Sequence, residues 1–177
     1  MRFCSIASGS SGNCIYVGSD NTHVLVDIGI SGKKMETGVN SLELTGRDLD
    51  GILITHEHSD HIKGLGVISR KYGIPIYATA GTVDAMVRTN ALGKIPEGIF
   101  HEIQEDEPFM INDLKVNPFT IPHDAAQPVG YRLEHEGHSV GIATDLGKYN
   151  DYIIENLQGL DALLLEANHD IRMLQVG

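Results

Sequence analysis

The decisive stretch of the sequence reads GILITHEHSDH over residues 51–61. Its first four residues form a short apolar run that predicts a buried strand. His56 and His58 follow this run, and because alternate residues of an extended segment face the same way, both imidazoles can converge on one metal ion. Asp60 and His61 come next, at the predicted start of a helix and turned toward a second position beside the first.

This clustering of ligand-type side chains indicates a metal site. Four of them fall within six residues, directly after a buried strand, which is a stronger pattern than a polar loop that is rich in histidine by chance. Imidazole nitrogens and a carboxylate oxygen suit zinc, manganese or iron, with ligand distances of ~2.0–2.2 Å for zinc. The whole chain carries nine histidines in 177 residues, which also points to a metal.

Length and composition set the broad class of protein. A chain of 177 residues with 41% hydrophobic and 21% charged residues can bury the core of one globular domain, which we place at residues 1–177. No apolar run approaches the ~20 residues needed to span a bilayer, so no membrane partner is expected, and the first residues lack a signal-peptide pattern. With only Cys4 and Cys14, a disulfide framework is excluded, and the cytoplasm is the expected compartment.

The charge balance constrains the substrate. Thirteen Lys and Arg residues against 24 Asp and Glu residues give a net charge of −11. A protein that holds nucleic acid by its overall charge is basic, so a DNA substrate would have to be gripped locally. Lys63, Arg70 and Lys71 lie on the predicted helix after the ligand loop, where they could do this. No sequence signature indicates a protein partner or an oligomeric state.

Outward from the ligand loop, the chain reads as short strands with interspersed helices. The predicted strands are 3–7, 14–17, 22–28, 51–54, 74–78, 100–103, 108–111, 114–121, 129–135, 139–143 and 162–165. The predicted helices lie around 35–42, 62–72, 82–88 and 149–157, and Gly73 stands where a C-terminal cap is expected. The hairpin turns predict two mainly antiparallel sheets covered by helices. Because the chain stops soon after the last predicted strand, we expect the fold to be incomplete at its C-terminus.

The pattern His-x-His-x-Asp-His after a strand resembles the metallo-β-lactamase fold superfamily. The resemblance implies an α/β (α+β) fold, namely an αββα four-layer sandwich with two mixed β-sheets flanked by helices. It also implies a hydrolase with two divalent metal ions at the edge of the sandwich, Zn²⁺ first and Mn²⁺ or Fe²⁺ as alternatives.

Three further residues of that family pattern are present in order, each at a predicted strand end. Asp27 corresponds to an aspartate that supports the histidine loop, His123 to the third histidine ligand of the first metal, and Asp145 to the carboxylate that bridges both metals. Taken alone, Asp27 is better explained as a turn or helix-cap residue. Residues such as His123 and Asp145, taken singly, are more often ordinary loop residues than ligands.

The resemblance thus implies two ligand sets that share one carboxylate. The first metal would be held by His56, His58 and His123, the second by Asp60 and His61, and both by Asp145. A later histidine that normally completes the second site in the family is missing from this sequence, and His169 is the candidate substitute.

Two other segments are similar to the YycJ/WalJ branch of that superfamily, a group of 5′→3′ DNA exonucleases. The first is SGSSGNC at residues 8–14, where Ser10, Ser11 and Asn13 could line a nest of backbone N–H groups for a substrate phosphate. A flexible strand connection explains the same residues. The second is EANHD at residues 166–170, in which Glu166 and His169 lie at the mouth of the last predicted strand.

The Glu-Ala pair in this second segment is also similar to a Glu-Ala-Thr segment of ribonuclease Z relatives, in which the glutamate orients a histidine that protonates the leaving group. The alternative is a capped strand end.

These observations predict a metal-dependent phosphodiesterase with a metal-bridging hydroxide, of the 5′→3′ DNA exonuclease type. In this hypothesis Asp60 orients the hydroxide, and Glu166 with His169 helps the leaving oxygen to take up a proton. A small-molecule hydrolase that acts on a thioester, lactone or cyclic phosphate stays open. A truncated, non-catalytic metal-binding module stays open as well.

Overall fold

The computed structural model describes residues 1–166, which form eleven strands and five helices. In chain order these elements are β1 (Arg2–Ala7), β2 (Cys14–Gly18), β3 (His23–Val26), α1 (Gly32–Asn40), β4 (Gly51–Leu53), α2 (Ser59–Ile62), α3 (Leu65–Tyr72), β5 (Ile76–Thr79), α4 (Ala80–Arg88), β6 (Phe100–Ile103), β7 (Phe109–Ile111), β8 (Leu114–Thr120), β9 (Val129–His135), β10 (His138–Ala143), α5 (Asp151–Leu157) and β11 (Ala162–Leu165). Every strand predicted from the sequence is present, with bounds that differ by a few residues at most.

The first sheet has the order β1-β2-β3-β4-β5-β6. Its first two strand pairs are antiparallel, and the pairs β3–β4, β4–β5 and β5–β6 are parallel. The expectation of two mainly antiparallel sheets was therefore wrong for this sheet. The reason is that α1, α3 and α4 act as crossover connections, which return the chain to the same end of the sheet and so make successive strands parallel.

The second sheet has the order β11-β10-β9-β8-β7. Its pairs are antiparallel from β7 to β10, as the hairpin turns predicted, and β10 pairs with β11 in parallel. Both sheets are thus mixed, which confirms the fold class that the family resemblance implied.

Alternation along the strands of the first sheet produces the layers. In β2, Cys14 and Tyr16 pack against the helices, whereas Ile15 and Val17 pack against the second sheet. Successive strand residues face opposite sides, so an all-apolar strand such as this one is typical of a sheet that is covered on both faces. A third cluster lies between the second sheet and α5, around Phe119. The result is an αββα sandwich.

The helical stretch predicted through 62–72 is divided into α2 and α3. Gly64 lies at the break, and an added Cβ there would sit 2.2 Å from the Ile30 carbonyl oxygen. This close approach of two backbone segments requires glycine. Gly73 ends α3 in the left-handed conformation, with φ of 66°, as the predicted cap requires.

The sandwich has two distinct ends. The metal-site end is where β3, β4, β8 and β10 finish, and it holds Asp27, His56, His123 and Asp145. The far end is formed by the β2–β3 and β7–β8 turns, where Ser19 donates a hydrogen bond to a carboxylate of the other sheet. Among residues 1–166, no helix has the length and apolar character needed to cross a membrane.

Candidate metal centre

The histidine loop begins where β4 ends and turns at the start of α2. His58 is extended, with φ of −65° and ψ of 149°, and it precedes the first helical residue. The backbone N–H groups of His61 and Ile62 both donate to the His58 carbonyl oxygen, at 2.9 and 3.2 Å. This tight turn brings the imidazole of His61 back beside that of His56, with ring centroids 4.0 Å apart.

His56, His58 and His123 form the first cluster. One ring nitrogen from each lies within 4.8 Å of the others. The ring centroids are 4.6 to 4.9 Å apart, and His123 Nε2 lies 3.2 Å from His58 Nδ1. The first sheet supplies two of these side chains and the second sheet the third, so the structure brings together the three residues that the family resemblance assigned to the first metal.

His56, His61 and Asp145 form the second cluster, with the same 4.8 Å limit on their ligand atoms. His61 Nε2 lies 2.8 Å from Asp145 Oδ2, and His56 Nε2 lies 3.8 Å from the same oxygen. His56 thus belongs to both clusters, so the two candidate metal positions are adjacent.

Asp60 lies at the margin of the second cluster. Its Oδ2 is 3.7 Å from His61 Nε2, and its side chain is one-third exposed. Within the described part of the chain, it belongs to neither of the two compact ligand groups. Its assignment to the second metal therefore stays a prediction.

Asp27 and Thr55 contact the imidazoles of the histidine loop and hold them in place. Asp27 accepts hydrogen bonds from the backbone N–H and the hydroxyl of Thr55, at 2.9 and 2.8 Å, and its Oδ2 lies 2.7 Å from His61 Nδ1. Thr55 Oγ1 also lies 3.0 Å from His56 Nδ1. Partners of this kind fix the orientation and tautomer of a ligating histidine, and the sequence had named Asp27 for this support.

The SGSSGN loop, residues 8–13, also lies beside the second cluster. Asn13 is buried, and its amide Nδ2 lies 3.2 Å from His61 Nε2. Its backbone is bonded on both sides, to the Asp60 carbonyl oxygen at 2.8 Å and from the Gly29 N–H at 2.7 Å. Gly29 is required here, because an added Cβ would overlap the Asp60 carbonyl group. Asn13 therefore contacts the second cluster directly.

Ser10 and Ser11 are exposed in this loop, which leaves their hydroxyls accessible from solvent. The phosphate-binding role predicted for them and for Asn13 stays a prediction.

Two aspartates of the site have a strained backbone. Asp27 and Asp145 adopt left-handed φ angles of 61° and 56°. Residues other than glycine enter this region at an energetic cost, and such strain concentrates at functional sites. The turns place both carboxylates immediately after a strand and aim them at His61.

The two clusters contain both neutral and charged side chains. Burial, with the neighbouring histidines, lowers the pKa of His56 to about 2, and burial also lowers the pKa of His123. Burial alone would lower the pKa of His61 too, but the carboxylates of Asp27 and Asp145 outweigh it and raise that pKa to about 10. The hydrogen bond from His61 lowers the pKa of Asp145. His56 and His123 are thus neutral near pH 7, the form in which imidazole binds a metal.

The donor set fits divalent metal ions. His56 Nε2 is buried and has no hydrogen-bond partner within residues 1–166, although buried polar atoms are almost always paired. Three imidazoles in one cluster, and two imidazoles with a carboxylate in the other, are ligand sets typical of zinc and of similar transition metals.

The loop that carries His123 is fastened to the first sheet. Glu57 Oε1 accepts a hydrogen bond from the Ala126 N–H at 2.8 Å. The side chain of Gln127 accepts from the Gly81 N–H and donates to Glu105, both at 2.7 Å. These contacts hold the third histidine of the first cluster against the other two.

Glu166 directly follows β11 and lies beside the second cluster. Its backbone carbonyl accepts from Leu146 and its N–H donates to Ala143, both at 3.0 Å, which fixes its place next to Asp145. Burial, followed by the charge of Asp145, raises the pKa of the Glu166 carboxyl group. His169, its predicted companion, lies outside the described residues.

The other four described histidines lie away from both clusters. Each of them has a polar or aromatic partner within the described residues. His23 Nδ1 lies 2.8 Å from the Tyr16 hydroxyl, and His101 stacks on Tyr77 with centroids 5.0 Å apart. His135 and His138 lie within 4 Å of carboxylates of the second sheet.

Sequence reasoning missed Thr55, Glu57 and Gln127 as parts of the site. Thr55 and Glu57 flank His56, so their position in the ligand loop was a usable signal. Gln127 had none, because its partners are 22 and 46 residues away in the sequence.

The chain is similar to proteins of known family. The family model described as "Beta-lactamase superfamily domain" matches residues 22–175. The chain is 41% identical over all 177 residues to "Exodeoxyribonuclease YycJ" of Bacillus anthracis and 39% identical to "Exodeoxyribonuclease WalJ" of Streptococcus pneumoniae, and it spans 66% of the length of each.

A solved structure shares the fold at low sequence identity. Zn²⁺-bound PqqB from Methylobacterium extorquens superposes with a TM-score of 0.72 at 18% identity, over 92% of this chain and 63% of that one. The layered fold, the two ligand clusters and the family match over most of the sequence agree: the chain belongs to the β-lactamase superfamily, in its metallo-β-lactamase-fold branch.

Proposed function

We propose that this chain forms the metal-binding core of a 5′→3′ DNA exonuclease that hydrolyses phosphodiester bonds. The observation that carries the proposal is the pair of adjacent clusters that share His56, in a chain whose full-length relatives are named exodeoxyribonucleases. Because the chain spans 66% of those relatives, the activity of the whole protein, the polarity of cleavage and the DNA substrate all belong to the proposal.

The histidines would bind metal as neutral imidazoles, so the second ion would have to displace the proton that the carboxylates of Asp27 and Asp145 hold on His61. His56, His58 and His123 would hold one divalent ion, and His61, Asp145 and Asp60 would surround the second. Bound Zn²⁺ or Mn²⁺ would supply Lewis acidity to a phosphoryl oxygen and lower the pKa of water. Asp27 would keep His61 oriented through the contact at 2.7 Å. Asp60, the most exposed of these carboxylates, would orient the attacking water.

Glu166 would help the leaving oxygen to take up a proton. Its Oε2 is buried and has no hydrogen-bond partner within the described residues, so it is available to a group that enters the site. In the proposal, His169 assists this transfer.

The test compares substrates. The purified chain, loaded with Zn²⁺ or Mn²⁺, is offered 5′-phosphorylated single-stranded DNA, a thioester and a lactone. We expect release of nucleotides from DNA, and its loss in His58→Ala. Cleavage of only the thioester or the lactone, or of none of the three, would reject the nuclease proposal, and full activity in His58→Ala would reject the ligand assignment.

A further inference from the structure

A groove outside the two ligand clusters lies between the edge strand β1 and helix α1. Its volume is about 440 Å³, within the ~300–1,000 Å³ that ligand pockets usually have. Ile6 and Ile30 form apolar walls, and Lys33 and Lys34 of α1 stand on its rim, both exposed to solvent. The groove therefore has apolar walls and a positively charged rim.

The charge of this groove is opposite to that of the protein as a whole. The net charge is −11, yet no Asp or Glu is among the described residues that line the groove. Glu36, the acidic residue of α1, is engaged by Lys71 and Tyr72 of α3 instead. Lys33 and Lys34 are in no ion pair within residues 1–166, so their charges are available to an anionic ligand.

The groove lies beside the loop that leads to the metal-site end. Ser11 lines it, and Asn13, two residues further along the same loop, contacts His61 at 3.2 Å. Two residues of extended chain span at most about 7 Å. Ile30, on the other wall, follows Gly29, whose N–H donates to Asn13. A ligand in the groove would therefore reach the second cluster along the SGSSGN loop.

We propose that this groove binds the part of a single-stranded DNA chain that adjoins the phosphodiester bond at the metal clusters. Lys33 and Lys34 would contact backbone phosphates, while Ile6 and Ile30 would pack against sugars and bases. An extended anionic polymer with apolar faces is complementary to this groove, because phosphate contacts supply affinity and apolar contacts tolerate any base. This inference rests on the proposed nuclease function.

The test separates binding from chemistry. Binding of a fluorescent ten-nucleotide single strand to the chain is measured by anisotropy in the presence of a chelator. We expect Lys33→Ala/Lys34→Ala to weaken binding roughly tenfold and to flatten the salt dependence of log K by about 1.4, since each single-strand phosphate contact contributes ~0.7. Thr37→Lys, which adds charge to the same wall, should tighten binding. The control Lys94→Ala/Lys115→Ala removes two charges outside the groove and should match the wild type.

A second substrate keeps the two proposals distinguishable. Bis(p-nitrophenyl) phosphate is too small to need the groove, so the loaded Lys33→Ala/Lys34→Ala chain should hydrolyse it at the wild-type rate while its KM for the oligonucleotide rises. Failure of the wild type to hydrolyse either phosphodiester would overturn the proposed function. Hydrolysis of both, with oligonucleotide affinity equal in the groove variants and in the control, would overturn only the groove.

Discussion

Polar side chains from both sheets meet at each end of the sandwich, but the two ends differ in how far those side chains are hydrogen-bonded within the described residues. At the far end, Asp113 accepts hydrogen bonds from Ser19, Asn21 and Thr22, and so its carboxylate is satisfied within the protein. At the metal-site end, His56 Nε2 is buried without a hydrogen-bond partner among the described residues. Glu57, Thr144 and Glu166 each leave one such atom there as well.

This difference separates a structural polar cluster from a binding site. A satisfied cluster ties two turns together and gains nothing from a ligand. An unsatisfied buried atom costs stability in the free protein, which a bound group recovers. Stability and function are therefore expected to reside at opposite ends of the molecule, and substitutions at each end should affect one property and leave the other.

The largest effect should come from removing a shared ligand. Asp145→Ala deletes the carboxylate 2.8 Å from His61, and we expect metal-dependent turnover to fall more than a hundredfold, beyond the ~10–100-fold typical of supporting residues. The thermal midpoint of the metal-free protein should fall by only a few degrees, because the substitution removes the ion pair with His61 but leaves the apolar core intact. Glu136→Ala, an exposed carboxylate of the same sheet, is the control. Unchanged turnover together with a large fall in the thermal midpoint of Asp145→Ala would contradict the comparison.

A smaller loss of metal affinity is expected when Asp27, which supports the ligand His61, is changed. Asp27→Asn keeps a side chain that tolerates the left-handed φ of 61°, but it removes the charge that faces His61. Metal affinity, measured by competition with a chelating dye, should fall ~10–100-fold. Affinity within twofold of the wild type would mean that Asp27 only caps the turn.

A third test concerns the tie between the sheets at the metal-site end. Glu57→Ala removes the hydrogen bond to the Ala126 N–H and so loosens the loop that carries His123. The side chain is partly exposed, so we expect a loss of about 1 kcal/mol, or roughly fivefold in metal affinity. Glu57→Gln retains the acceptor oxygen, so its metal affinity should stay close to that of the wild type. Equal losses of affinity in the Ala and Gln variants would show that the charge of Glu57 matters and its hydrogen bond to Ala126 does not.

The smallest effect is expected at the far end. The hydrogen bond from Thr22, with those from Ser19 and Asn21, lowers the pKa of Asp113. A lowered pKa stabilises the fold above the unfolded-state value of ~3.9, and this contribution is lost as the pH falls below it. Asp113→Asn should lower the thermal midpoint by about 2–4 °C at pH 6, and the gap should narrow toward pH 3. Metal content should not change, whereas a loss of metal would contradict the separation of the two ends.

The sequence predicted the strands and the ligand-type residues because both are local patterns. The apolar run at 51–54 predicted a buried strand, and its spacing to His56, His58 and His61 followed from the chain itself. His123 and Asp145 came from the family resemblance and from their places at strand ends. Their meeting with the histidine loop depends on how two sheets pack, which no local pattern encodes.

What the sequence did not predict depends on long-range contacts. The parallel pairing of β3 to β6 is set by crossover helices, while turn residues favoured hairpins. Thr55 reaches Asp27 across 28 residues, and Glu57 reaches Ala126 across 69. The burial of Asn13 against His61 likewise requires the packed fold, since the loop sequence alone is equally typical of an exposed connection.

The most direct test of the metal-site assignment is the metal content of chelator-free protein, measured by elemental mass spectrometry beside Asp145→Ala and Asp113→Asn. We expect about two divalent ions per chain in the wild type and in Asp113→Asn, and a clear fall in Asp145→Ala. Equal metal content in the wild type and Asp145→Ala, or none in either, would contradict a metal centre at this end of the sandwich.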